Sequence, residues 1–349
     1  MYKEFLDRLD RGELLTADEY LELIRHRDEV RDRAAALARK KREKYYGNTV
    51  FIRGLIEFTN YCRNNCFYCG IRAGNNKCER YRLTEDEIAS CADAGYSLGF
   101  RTFVLQGGED PHFTDDALCG IVRRLKAEHP DCAVTLSVGE RSRESCKVLR
   151  EAGADRYLLR HETANREHYE MLHPAGMSFD NRQRCIKDLK ELGYQVGVGF
   201  MVGSPYQTDG DLAHEMIYLR EIRPEMVGIG PFVPHHDTPF AEYPAGSAEL
   251  TTFLLSLIRL TLPDVLLPAT TALGTVDPLG RERGIEAGAN VLMPNLSPAG
   301  VRNKYLLYDN KICTGDEAAA CIECLKNRIK NTGCEIVTAR GDHAGRRTL

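Results

Sequence analysis

The sequence predicts an α/β fold, a (βα)8 TIM-type barrel preceded by helices and followed by a C-terminal extension. From residue 51 onward eight short apolar runs alternate with helix-length segments, at 51–58, 102–106, 133–138, 156–161, 195–202, 226–232, 265–270 and 290–293. Strands separated by helices are expected to lie parallel, as βαβ units. That alternation alone leaves a doubly wound sheet possible, and the placement of polar residues decides for the barrel. Cys62 follows the first run, Gly107-Gly108-Glu109 the second, Glu140 the third and Glu162 the fourth, while His235-His236 and Thr270-Thr271 repeat the habit at the sixth and seventh. Groups at successive C-terminal strand ends are how a barrel builds a site over its mouth. A length of 349 residues with 43% hydrophobic content supplies the core such a barrel needs.

In chain order, residues 1–45 read as a helical segment. Tyr2-Lys3-Glu4-Phe5-Leu6-Asp7-Arg8 is amphipathic, and Thr16-Ala17-Asp18-Glu19 has the form of a helix start, a capping hydroxyl followed by acid. Residues 46–300 form the barrel. Residues 301–349 form the extension, helical in part, charged, and carrying a cysteine trio of its own. The basic run 33–43 reads as a solvated helix face rather than a nucleic-acid surface, since the chain has a net charge of −4 and no stacking aromatics accompany the run. No apolar stretch approaches the ~20 residues of a membrane span, and nothing apolar follows Met1. With thirteen cysteines and no leader, the expected setting is the reducing cytoplasm, where thiols serve as metal ligands. Seven of them (Cys78, Cys91, Cys119, Cys132, Cys146, Cys185 and Cys334) are scattered and read as small buried hydrophobes.

The chemistry is concentrated in Cys62-Arg63-Asn64-Asn65-Cys66-Phe67-Tyr68-Cys69. Three thiolates in a CxxxCxxC loop can ligate three irons of a 4Fe-4S cluster and leave the fourth open, whereas a cluster kept for electron transfer is normally saturated by four. Structural zinc wants a fourth ligand close by, and no His or Cys follows within eight residues. The open iron could chelate the amino and carboxylate groups of S-adenosylmethionine. Tyr68, between two ligands, is placed to shield the cluster and pack on the adenine. Consecutive glycines in Gln106-Gly107-Gly108-Glu109 allow close backbone approach to a ligand. Arg160 and Glu162 should share one side of the fourth strand. Glu162 could accept two ribose hydroxyls and Arg182 could fork onto a carboxylate; without the cysteine loop a structural ion pair of Glu162 with either arginine would be the first reading. His235-His236 reads as loop structure rather than a metal site. Cys313, Cys321 and Cys324 could hold a second iron–sulfur cluster, either 2Fe-2S or 4Fe-4S.

The loop and the Gly-Gly-Glu element resemble the radical SAM superfamily. Longer segments are similar to the FeFe-hydrogenase maturases of the HydE type: 56–62, 104–111, 153–165, 226–232, 268–272 and 290–295. That resemblance implies that the Gly-Gly-Glu element holds the methionyl amino group and that Tyr305 lies near the cofactor. It further implies a barrel cavity that receives a small iron-containing substrate, a cysteine-bound iron carbonyl–cyanide unit, on whose sulfur a 5′-deoxyadenosyl radical acts. Arg53, Thr135, Thr270, Thr271 and Tyr308 are the cavity contacts it suggests. The other maturases HydG and HydF are the partners it implies, with no nucleic acid and no membrane, and the second trio takes the place of a variable auxiliary cluster. Two alternatives stand beside it: an amino-acid mutase like methylornithine synthase, and a non-enzymatic iron–sulfur carrier, in which the Gly-Gly-Glu, Glu162 and Arg182 features would have no purpose.

Overall fold

The computed structural model describes residues 2–312 and 322–346. Its strands are β1 (Thr49–Ile52), β2 (Gly54–Thr59), β3 (Thr102–Gly107), β4 (Ala133–Ser137), β5 (Arg156–Leu158), β6 (Gln195–Val198), β7 (Met201–Val202), β8 (Met226–Val227), β9 (Gly230–Pro231), β10 (Val291–Leu292) and β11 (Glu335–Val337). A parallel six-stranded sheet runs β2-β3-β4-β5-β6-β8. Single parallel bridges, Met226 to Leu266 and Pro268 to Val291, carry the pairing through the seventh run to β10. β10 in turn pairs with β1, Phe51 opposite Val291. This is the neighbour order of a (βα)8 barrel, with helices such as Asp115–Glu128 and Phe179–Glu191 between the strands.

Several strands are shorter than the apolar runs suggest. The first breaks at Arg53 because it changes partner there: β2 pairs with β3, whereas β1 takes β11 on that side. The fourth ends at Leu158 rather than continuing to His161, and Glu162 beyond it adopts φ +66°. The fifth and sixth runs each split in two, and their upper pieces β7 and β9 pair with each other. The seventh makes only bridges; it contains Pro268, which has no amide to donate to a ladder.

The N-terminal helices start where their chemistry directs. Thr16 and Glu19 form the reciprocal capping box at the head of Ala17–Arg25. Leu6, Leu23 and Ile24 are completely buried in the same core as the barrel, and Tyr20 joins Thr261 through their hydroxyls at 2.8 Å. The basic run lies on the helix Arg27–Tyr46 and is largely solvated, but Arg42 turns inward and donates to the carbonyl of Ile285 at 2.8 Å.

The extension contributes more than a tail. Residues 335–346 pass beneath the N-terminal ends of the strands. Thr102, which begins β3, donates to the Arg340 carbonyl at 2.7 Å; Arg156, which begins β5, meets Asp342 at 2.6 Å; and Gln195, which begins β6, donates to the same carboxylate at 2.8 Å. This segment covers the face of the barrel opposite the site. Among the described residues no helix is long and apolar enough to cross a membrane.

Candidate active site

The loop after β2 is held from several directions. The Asn60 amide donates to the carbonyls of Glu79 and Lys304 at 2.8 and 2.6 Å. Arg80 gathers the carbonyls of Ile71, Arg72 and Asn75 at 2.8, 2.7 and 3.2 Å. Phe67 N–H donates to Leu172 O and Gly70 N–H to Leu307 O. Loops cannot leave backbone groups unpaired when buried, so these bonds fix where the sulfurs point. Sequence reading missed Arg80; a charged residue eleven positions beyond a motif carries no signal of what it gathers.

Cys62, Cys66 and Cys69 are partly buried free thiols. Burial pushes all three up, Cys66 to about 12, with the neighbouring thiols adding to the shift in Cys66 and Cys69. Neutral thiols clustered in this way are suited to a cation that displaces their protons. The Glu109 amide donates to Cys62 Sγ at 3.4 Å, and Cys66 Sγ lies 3.7 Å from Met177 Sδ. Gly108 makes the approach possible: a Cβ there would sit 2.2 Å from Tyr61 O and 2.7 Å from the Cβ of Cys62.

Around this loop the structure assembles the predicted polar groups, with changed partners. Glu109 pairs with Arg63 at 3.0 Å and accepts the Glu140 amide at 2.8 Å. Arg182 pairs with Glu140 at 2.6 Å rather than with Glu162, and donates to the Arg160 carbonyl at 3.1 Å. Arg160 and Glu162 do meet, at 3.2 Å, but across the turn beyond the end of β5 rather than on one side of a strand. His161 turns away to the fully buried Glu215 at 2.7 Å. Arg160 Nε is buried without a hydrogen-bond partner among the described residues. Gln106 donates to the buried Tyr305 hydroxyl at 3.4 Å. The Tyr68 hydroxyl is bound to His173, which sequence reading did not single out, at 3.2 Å.

The cavity candidates divide. Arg53 and Thr135 line a small internal cavity with Arg156, Tyr157 and Met226, and there Arg53 Nε and the Thr135 hydroxyl lack partners among the described residues. Arg53 also donates to Gly341 O at 3.3 Å, so this cavity lies toward the covered face. Thr270 instead caps the helix Thr271–Val276 by accepting the Leu273 amide at 3.4 Å, and Thr271 is that helix's first residue. Tyr308 is half-buried in the segment after Arg302. His236 Nδ1 is bonded to Asp309 at 2.7 Å, and the Asp237 amide donates to His235 Nδ1 at 3.1 Å, which leaves the His235 Nε2 carrying hydrogen toward Asp309. These bonds tie the loop to Asp309. Of the second trio, Cys313 and Cys321 lie outside the described residues, and Cys324, exposed on the helix Ile322–Lys330, is disulfide-bonded rather than the free thiol a cluster ligand requires.

The cysteine loop thus lies over the C-terminal mouth of a parallel barrel, between a glycine cradle and an Arg/Glu rim. Residues 56–218 match the model of the radical SAM superfamily. A protein of Thermotoga maritima named [FeFe] hydrogenase maturase subunit HydE is 46% identical over 336 residues, 95% of this chain and 94% of the relative. The chain belongs to the radical SAM superfamily. This radical SAM enzyme is also 28% identical to a 3-methylornithine synthase of Methanosarcina acetivorans over 95% of its length and 93% of the relative. The crystal structure of methylornithine synthase (PylB) superposes with a TM-score of 0.83 at 28% identity, covering 95% of this chain and 97% of that one. The superfamily implies a 4Fe-4S cluster and S-adenosylmethionine, and the residues present fit them: three free thiols, a cradle that a Cβ at Gly108 would fill, and an unpartnered guanidinium nitrogen at the rim.

Proposed function

We propose that this enzyme acts in maturation of an FeFe-hydrogenase, as its relative at 46% identity is named to do, and there in assembly of the active site. In this reading Cys62, Cys66 and Cys69 would hold the cluster, whose chemistry when bound would be one-electron reduction of S-adenosylmethionine. Gly107, Gly108 and Glu109 receive the methionyl amino group, Arg182 and Arg160 face its carboxylate, Glu162 takes ribose hydroxyls, and Tyr68, Gln106 and Tyr305 border the nucleoside. The observation that carries the reading is the convergence of these groups on one loop, with Glu109 donating its amide to Cys62 and supporting Glu140, which in turn fixes Arg182.

The substrate proposed is a cysteine-bound iron carbonyl–cyanide unit, on whose sulfur the bound cofactor would supply radical chemistry, with Arg53, Thr135, Thr270, Thr271 and Tyr308 as its contacts. HydG and HydF are the partners proposed, and Cys313, Cys321 and Cys324, in their reduced form, the ligands of an auxiliary cluster. The fold likeness to methylornithine synthase favours a second reading, a mutase of a basic amino acid, which the lower identity of 28% makes the weaker one.

The test is anaerobic reconstitution, reduction with dithionite and chromatography. The proposal expects 5′-deoxyadenosine and methionine, and maturation of an apo-hydrogenase in a mixture lacking only this component. Cleavage without maturation, but with methylornithine formed from lysine, would select the mutase.

A further inference from the structure

Glu162 stands in a left-handed backbone conformation, φ +66°, that side chains rarely adopt, and its Oε2 is buried without a hydrogen-bond partner among the described residues. Such a conformation persists only where its surroundings over-determine it. The determinant here is Glu215, on the helix Asp209–Ile222, which no part of the reading above uses. Its carboxylate is wholly withdrawn from solvent and holds the turn on both sides of Glu162. One oxygen accepts from His161 Nε2 at 2.7 Å and the other from the Ala164 amide at 2.6 Å. The Gly199 amide donates to His161 Nδ1 at 3.3 Å; a backbone N–H can only donate, so Nε2 carries the hydrogen that Glu215 receives. The Glu162 amide returns to the Gly199 carbonyl at 3.0 Å and closes the frame. One turn earlier on the same helix, Asp211 accepts from the Asn165 side chain at 2.6 Å. Withdrawing a carboxylate from water is costly unless its oxygens are hydrogen-bonded, and Glu215 directs both of its oxygens to this one turn.

We propose that Glu215 is a positioning residue for Glu162: by holding His161 and Ala164 it fixes the left-handed turn that presents the unpartnered Glu162 oxygen to the cofactor. The inference rests on the assignment of Glu162 to the ribose hydroxyls. Glu215 is itself completely buried, so it acts through the turn rather than by contact. Without its two bonds the backbone at Glu162 is free to relax to the commoner negative φ, which swings the carboxylate off its line. The loss then falls on ligands that carry ribose hydroxyls. A merely structural role would weaken every ligand of the site alike.

The experiment is equilibrium dialysis of S-adenosylmethionine and of its 2′,3′-dideoxyribose analogue against reconstituted wild type, Glu215→Ala, Glu215→Gln, Glu162→Ala and Glu162→Ala/Glu215→Ala. Wild type should prefer the cofactor, because only the cofactor offers hydroxyls to Glu162. Glu215→Ala should weaken the cofactor at least ~10-fold and the analogue by less than about twofold, so that the preference collapses. Glu215→Gln keeps one acceptor oxygen and should fall between. Adding Glu215→Ala to Glu162→Ala should lose no further affinity, since no carboxylate is then left to aim. An equal loss for both ligands in Glu215→Ala, a preference that survives there, or additive losses in the double variant overturns the proposal. Should Glu215→Ala fail to fold or to load its cluster, Glu215→Gln decides by the same comparison, and a full wild-type preference in it overturns the proposal. Failure of the parent reading looks different and takes the proposal with it: wild type itself would bind cofactor and analogue alike.

Discussion

Lys311 Nζ lies 2.5 Å from the Glu57 carboxylate, and both side chains are almost wholly withdrawn from solvent, at 6% and 1% exposure. Glu57 belongs to the first barrel strand and Lys311 to the segment that follows the barrel, so this ion pair ties the extension to the wall of the mouth. Asn295 donates to the other carboxylate oxygen at 2.8 Å, and Lys311 also reaches Tyr305 O at 2.8 Å. Removing one partner of a buried pair leaves an uncompensated charge. Lys311→Met should therefore cost about 3–5 kcal/mol of stability, read by chemical denaturation of the apo-protein, and Glu57→Gln/Lys311→Met should recover much of the loss. An unchanged denaturation midpoint in the single variant would refute this.

Gly108 gives a sharper prediction because its constraint is steric. Gly108→Ala places a methyl group 2.2 Å from Tyr61 O, a backbone atom that can move only with the loop bearing Cys62. The expected outcome is a folded protein that takes up less than a full cluster and binds S-adenosylmethionine at least ~10-fold more weakly, a loss of about 1.4 kcal/mol. Iron analysis and equilibrium dialysis check it, with far-ultraviolet circular dichroism showing that the barrel persists.

The covered face of the barrel should be sensitive to acid. Burial by itself would raise the Asp342 carboxyl, but the Arg156 guanidinium, with donors from Gln195 and Arg340, outweighs it and holds Asp342 well below the usual carboxylate range. A carboxyl depressed in the folded state binds its proton more readily when unfolded. Its stabilisation is therefore complete above the unfolded value near 4 and is lost as pH falls below that. Wild type should lose stability between about pH 5 and pH 2 more steeply than Asp342→Asn. Parallel stability–pH curves for the two proteins would contradict the assignment.

Glu162 and Arg182 test the rim. Each is expected to meet S-adenosylmethionine through charge-assisted hydrogen bonds worth about 1.5–3 kcal/mol. Glu162→Ala or Arg182→Ala should weaken cofactor affinity at least ~10-fold while leaving the cluster in place. Because Glu140 holds Arg182 at 2.6 Å, Glu140→Gln should weaken affinity as well, by a smaller factor. Full affinity in all three variants, measured calorimetrically on loaded protein, would reduce the rim to structural ion pairs.

What the sequence made legible was local. The Cys62–Cys69 loop, the glycine pair and the apolar runs announce themselves because spacing and period are properties of neighbouring residues. The partner of Arg182 was not legible: Glu140 is forty-two positions away, and only the barrel's curvature brings it closer than Glu162. Glu162 itself sits at φ +66°, where side chains are rarely found, so no strand pattern could have foretold the turn that brings it to Arg160. Residues 335–346 read as a charged tail since their anchors, Arg156 and Gln195, begin strands whose own patterns are complete without them. His173 was hidden for a simpler reason, as a lone histidine in Leu172-His173-Pro174 has no motif around it.

The two cysteine trios should fail differently if only the first serves the cofactor. Cys66 is partly buried beside Met177, Tyr68 and the mouth of the barrel, so Cys66→Ala removes a ligand from the reacting centre and should abolish both cofactor cleavage and hydrogenase maturation. Cys324 is exposed on a helix beyond the eighth strand, on a segment distinct from the loop that bears Cys66. Cys321→Ala/Cys324→Ala should therefore lower iron and sulfide content per chain while leaving 5′-deoxyadenosine formation within about twofold of wild type, a difference below ~0.5 kcal/mol in barrier. The decisive comparison sets metal analysis beside cleavage for both variants. If the double variant keeps the spectrum of the first cluster and yet loses cleavage, the second trio participates in the radical step and is no auxiliary site.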